Sequence, residues 1–191
     1  MKKAFTLSEM LICLAVIAVI IGILLSAIRI KPNSNMLMFR KAYNLTSNTV
    51  YDIMRSSAYY ESGLLSNLSV TSQAIEGENP SGKSKFCKVF ASFVNTAGTI
   101  DCSQGGTGAS FSTMDGIDWY FPPKTTAGTF SSKEKIKVDV NGSANLPNCE
   151  DGASNCKNPD IFIIEVADTG KISIPGSIAK KYLQNVKNIS K

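Results

Sequence analysis

The chain has 191 residues, 20 Lys and Arg against 15 Asp and Glu, and no histidine. Without histidine there is no Ser-His-Asp or Cys-His nucleophile system, and the commonest metal ligand is missing. A net charge of +5, dispersed along the chain, makes no case for nucleic acid. Ser, Thr, Asn and Gly supply 63 of the 191 residues, a weakly charged composition that fits a protein working outside the cytosol.

The first element is apolar. Leu11 to Ile28 is eighteen residues without a charge, broken only by Gly22 and Ser26. With Met10 it makes about 28 Å of helix, close to a bilayer core of roughly 30 Å. A secretory signal has a shorter core, about 7–15 residues, followed by a small-x-small cleavage site. Here the run ends in Arg29-Ile30-Lys31-Pro32. A lipoprotein reading of Cys13 fails too, because Leu11 and Ile12 precede it and most of the apolar run follows it.

The residues before the run carry a resemblance. Lys2-Lys3-Ala4-Phe5-Thr6-Leu7-Ser8-Glu9-Met10-Leu11, leading into an apolar helix, resembles the N-terminus of type IV prepilins, shared by type IV pilins and the pseudopilins of type II secretion. The resemblance implies a leader, 1–4, cut between Ala4 and Phe5 by a prepilin peptidase, and a methylated amine on Phe5. It also implies that Glu9 is the assembly residue, paired with the Phe5 amine of a neighbouring subunit. Glu9 is the only acid before Asp52. Ala4 stands where the family usually has Gly, and Pro32 follows a span that lacks the Pro many members carry near Ser26.

The implied protein is a structural subunit, not an enzyme, and needs no cofactor. Its partners are like subunits, the peptidase and an inner-membrane assembly platform. Before assembly it is a single-pass protein of the cytoplasmic membrane with its head outside; afterwards it belongs to a surface pilus or a periplasmic pseudopilus. A membrane-anchored binding domain that never polymerises stays open as a third reading. Lys and Arg counted at the two ends of the span point the other way, with Arg29, Lys31, Arg40 and Lys41 after it; the cysteine pattern and the resemblance both place the head outside.

After the span, residues 31–35 break the helix around Pro32. A helical period returns from Met36 to Tyr60, with Phe39, Tyr43, Val50, Ile53, Met54 and Tyr60 on one broad face. One continuous helix over 5–60 would be about 84 Å long, and two helices separated at Pro32 are the rival. Residues 63–82 read as a loop. Phe86, Val89, Phe90, Phe93 and Val94 follow the i, i+3, i+4, i+7, i+8 pattern of a short amphipathic helix from Ser84 to near Gly98. Strands are predicted at Ile117–Phe121 and Ile136–Val140, the latter closed by Asn141-Gly142. A hairpin is predicted from 160–167 and 171–175 around Asp168-Thr169-Gly170, and then a final helix over 178–189 capped by Ser177. The order is α+β. The resemblance makes it a pilin-like fold, a long N-terminal helix packed on a small antiparallel sheet, with 1–4 as leader, 5–31 as polymerisation helix, 32–62 as its amphipathic continuation and 63–191 as head.

Four of the five cysteines lie in this head. Four cysteines allow three pairings. Cys87–Cys102 and Cys149–Cys156 each close a local loop, stabilising by about 3 and about 2.5 kcal/mol in the entropic view. A zinc site from all four lacks close CxxC pairs. Asp139, Asn141, Asp151 and Asp160 surround one loop and are candidate Ca²⁺ ligands, although the calcium-hand spacing is absent and turn chemistry accounts for them as well. Gly105-Gly106-Thr107-Gly108 lacks the Lys-Ser/Thr of a phosphate loop. Asp115 and Asp118 read as a turn and a strand edge. Lys180, Lys181, Lys187 and Lys191 make the last helix basic; a solvated face is the reading, contact with DNA the alternative.

Overall fold

The computed structural model describes residues 7–28, 33–103, 108–121 and 133–184, with side-chain detail in the first helix for residues 7, 8 and 10–21. The chain divides into two units, 1–34 and 35–191. The first unit holds helix α1, Leu7–Ile28. Whether the helix continues through Pro32 lies outside the described residues.

The second unit is built on α2, Ser34–Arg55. Phe39, Ala42, Thr46, Thr49, Val50 and Ile53 are its buried residues, at i, i+3, i+7, i+10, i+11 and i+14, so that they line one side. Two of the six are threonines, and the Thr46 hydroxyl donates to the Ala42 carbonyl one turn back (2.8 Å), which lets a polar side chain sit in the core. The helix stops five residues before the periodicity predicts, and residues 56–60 form hydrogen-bonded turns that still deliver Tyr60 to the core.

Helix α3, Lys85–Ser92, follows a 3-10 turn at Gly82–Ser84 and is shorter than predicted: Phe93 and Val94 close the helix by turn hydrogen bonds rather than extending it. The reason is that the next residues join the sheet. Strand β1 is Thr96–Ala97, β2 Phe111–Thr113, β3 Asp118–Tyr120, β4 Lys133–Asp139, β5 Ile161–Ala167 and β6 Ile172–Ser173. Each pairs antiparallel with the next, giving the order β1-β2-β3-β4-β5-β6. The chain ends its described part in α4, Ser177–Gln184. The architecture is α+β, as the sequence predicts.

One face of the sheet is dry. Phe111, Trp119, Ile136, Val138, Phe162, Ile164 and Val166 are all buried. Phe162 meets Phe39 of α2 (ring centres 4.4 Å) and Tyr182 of α4 (5.9 Å), while Phe90 of α3 meets Trp119 (5.5 Å) and Phe121 (5.3 Å). The three helices therefore cover the same face, in two layers. The opposite positions of β4 and β5 point outward, as the two-residue period of a strand requires.

Lys85, the first residue of α3, is buried with these aromatics. Its ammonium lies over the Tyr60 ring (4.2 Å) and donates to the Asn67 carbonyl (2.7 Å), tying the 56–70 loops to the helix. Burial pushes its pKa down.

The two faces make a direct test. Phe162→Ala removes the ring shared by α2, β5 and α4 and is expected to lower unfolding stability by about 3–5 kcal/mol. Ile163→Ala, on the other face, is expected to lower it by less than about 1 kcal/mol. Urea unfolding followed by tryptophan fluorescence measures both; equal losses would mean that the inner face is not the core.

Candidate functional site

Of the residues the sequence singles out for processing and assembly, Ala4 and Phe5 lie outside the described residues. Glu9 is the third residue of α1. From Met10 to Ile21 the helix carries twelve uncharged residues, and every Leu, Ile, Val and Met among them is at least half exposed. Three turns of consecutive apolar residues go all the way round a helix of 3.6 residues per turn, so no side of it is polar. Exposed apolar area is unfavourable in water by about 25 cal/mol per Å², and a surface of this kind marks contact with lipid or with other chains. Among the described residues no helix is long and apolar enough to cross a membrane; Met10–Ile21 alone is about 18 Å of helix.

Residues 1–25 match the family described as the prokaryotic N-terminal methylation motif, the prepilin-type signature of type IV pilins and pseudopilins. The chain carries a prepilin-type N-terminus. No curated protein and no solved structure matches it. The motif supports a pilin-like or pseudopilin-like structural protein.

The head of this prepilin-type chain brings its cysteines together in two pairs. Cys87–Cys102 joins α3 to the segment between β1 and β2 (Cα–Cα 5.7 Å), and Cys149–Cys156 closes a short loop between β4 and β5 (5.9 Å). Cys13 is exposed on α1.

The residues considered for calcium are engaged otherwise. Asp139, the last residue of β4, accepts hydrogen bonds from the backbone N–H groups of Asn141 (3.3 Å) and Gly142. Asn141 donates from Nδ2 to the Leu146 carbonyl (3.3 Å), and its Oδ1 is buried without a partner among the described residues. Asp160 takes the N–H groups of Asn148 (2.8 Å) and Cys149 (2.7 Å). Asp151 takes those of Ile178 (3.2 Å) and Ala179 (2.8 Å), the first free donors of α4. Among the described residues no group of three or more His, Cys, Asp or Glu is placed to hold a metal ion.

Asp151 also corrects the capping assignment. Ser177 is inside α4, and the helix is capped by a carboxylate from a loop 27 residues away in sequence. Gly176 makes this possible, since a Cβ there would land on the Asp151 carboxylate. Sequence reasoning could not find this cap, because its signals are local to the helix. Asp118 was likewise underread. Its carboxylate takes the Ser112 hydroxyl and the Ser143 N–H (2.9 Å), fastening the start of the 141–160 loop to β3. Gly142 has φ +80° and sits against the Gly116 carbonyl, where a Cβ would approach to 2.9 Å, so only glycine fits the turn. Asp115 pairs with Lys41 of α2 (2.8 Å) across the β2–β3 turn.

Four carboxylates thus hold one loop and one helix end by their backbone amides. Asp118 and Asp139 face each other across β3 and β4. Burial raises the Asp139 pKa to about 6, and the nearby carboxylates of Asp160 and Asp118 add to this against the amides that oppose it. For Asp118 burial also raises the pKa, but Ser112 and Ser143 outweigh it and hold the group below the usual carboxylate range.

The signs decide the pH profile. An acid whose pKa is raised on folding binds its proton more tightly in the native state, so its contribution falls as pH rises from about 4 to about 6. Asp118, shifted down, contributes above its unfolded value near 4 and loses this as pH falls further. Asp139→Asn is expected to raise stability at pH 7 by up to about 3 kcal/mol, the worth of a shift of roughly two units, and to flatten the profile between pH 4 and 7. Thermal melts of the wild type and of Asp139→Asn across that range check it; an unchanged slope would remove Asp139 as its source. Asp151→Ala is expected to lose about 1–2 kcal/mol at pH 7, as a lost helix cap does, with the α4 amides the first to gain hydrogen exchange.

Proposed function

We propose that this chain is the structural subunit of a type IV pilus-like surface filament. The observation that carries the reading is α1, apolar on every side and exposed at every described apolar position. Such a helix is stable in lipid before assembly and among like helices afterwards, and a filament built around a bundle of α1 helices supplies the second environment. The prepilin-type signature at residues 1–25 supports the same reading.

On this reading residues 1–4 are a leader, 5–31 the polymerisation helix, 32–62 its amphipathic continuation and 63–191 a pilin-like head outside the cytoplasm. The two disulfides suit an oxidising compartment. A prepilin peptidase cuts after Ala4, and the new amine of Phe5 is methylated and keeps its charge. In the filament Glu9 lies among apolar helices with little water. A lone carboxylate there is strongly unfavourable, so it pairs with the Phe5 amine of the adjacent subunit, and that pairing sets the axial register.

Two measurements test this. Intact mass of the purified protein is expected to show loss of Met1–Ala4 and gain of about one methyl group. A chain that retains Met1–Ala4 would count against the processed subunit. Glu9→Gln is expected to leave membrane insertion and cleavage intact while sharply lowering the amount of filament in sheared surface fractions. Wild-type amounts of polymer from Glu9→Gln would defeat the pairing.

A further inference from the structure

β4 places Lys133, Lys135 and Lys137 on the open face of the sheet, alternating with buried Glu134, Ile136 and Val138. Side chains two residues apart on a strand leave the backbone about 6.8 Å apart, so the three lysines are rooted in an evenly spaced row. Lysines on a strand often guard an exposed edge. That account fails here, because β4 is paired on both sides, with β3 and with β5.

The neighbours on this face do little to balance the row. Across from Lys133 is Ala167, across from Lys135 is Glu165, and across from Lys137 are Ile163 and, on β3, Tyr120. Exposed Lys171 hydrogen-bonds through its carbonyl to Ala167 and stands beside the row. The one acid among these positions, Glu165, is taken by Lys133 (3.2 Å) and the Ser173 hydroxyl (3.0 Å). Asp118 and Asp139, at the far end of the face, are buried and bound to backbone amides. Four lysines against one carboxylate repel one another, which disfavours the sheet rather than stabilising it.

We propose that this face binds extended single-stranded nucleic acid, its phosphates following the lysine row of β4. A strand whose own charges recur at a similar interval offsets the repulsion at each position and releases its counterions. Tyr120 closes the row with an aromatic ring under the Lys137 ammonium (4.2 Å), the kind of group on which a base stacks. The modest net charge of the chain hides the site, because most of the acids lie on other surfaces or in the carboxylate-held loop. The proposal does not depend on polymerisation.

The experiment uses the detergent-solubilised full-length chain and a fluorescent oligothymidylate, with anisotropy read over a potassium chloride series. Each phosphate neutralised on a single strand contributes a slope of about −0.7 in log affinity against log salt, so three to four lysines give about −2 to −3. The triple variant Lys133→Gln, Lys135→Gln, Lys137→Gln is expected to lower affinity about tenfold or more at low salt and to take about 2 from the slope. Lys180→Gln with Lys181→Gln, on α4, is expected to change neither. Melting curves establish that the triple variant is folded. Binding unchanged in the triple variant, binding lost in the α4 variant, or polyglutamate displacing the oligonucleotide at equal charge concentration would each overturn the proposal.

Discussion

Water cannot solvate the surface of α1 without a large free-energy cost, and nothing about the helix itself can reduce it. An ordinary surface helix turns one stripe toward a core and leaves the rest polar. Here the described residues from Met10 to Ile21 offer no polar side to turn outward. Something else must therefore cover this surface, and in the proposed reading lipid does so first and like subunits afterwards. A charge on this helix then matters far more than on a solvated one, because removing the water raises the penalty for any unpaired ion. The proposed roles of Glu9 and Phe5 follow from that single condition.

The head solves a different problem. Its sheet is covered on one face by α2, α3 and α4, and the aromatic contacts of Phe162, Phe90 and Trp119 bind the two layers. The long connection between β4 and β5 has few apolar anchors of its own. It is held by Asp151 and Asp160, whose side chains accept from backbone N–H groups, by one short disulfide and by the end of α4. Charge-assisted hydrogen bonds of this kind are strong individually, but they place Asp118, Asp139 and Asp160 close together. Burial of Asp139, with repulsion from Asp160 and Asp118 added to it, couples the loop's stability to pH.

The open face of the sheet carries what neither the core nor the loop needs. Strand periodicity sends alternate residues of β4 outward whatever they are, and three successive outward positions are lysine. Local order in the strand thus turns a dispersed positive charge into a line.

Much of this was legible in the sequence, and the division has a physical basis. The apolar run of α1 and the amphipathic faces of α2 and α3 depend on residues near one another in the chain, whose spacing maps directly onto helix geometry. The alternation of β4 was readable for the same reason, and β5 was read from the turn at Asp168-Thr169-Gly170. β1 and β2 were not, because two- or three-residue strands such as Thr96–Ala97 carry no periodic signal and exist only through their partners. The early ends of α2 and α3 were decided by where the following chain had to go. Asp151 at the start of α4, Lys85 over Tyr60, and Asp118 opposite Asp139 bring together residues far apart in sequence. Sequence by itself determined which surfaces are apolar and which helices must be covered, since those are properties of composition and period. Only the tertiary structure decided which carboxylate meets which amide and which lysines share a face, since those depend on the register of one strand against the next.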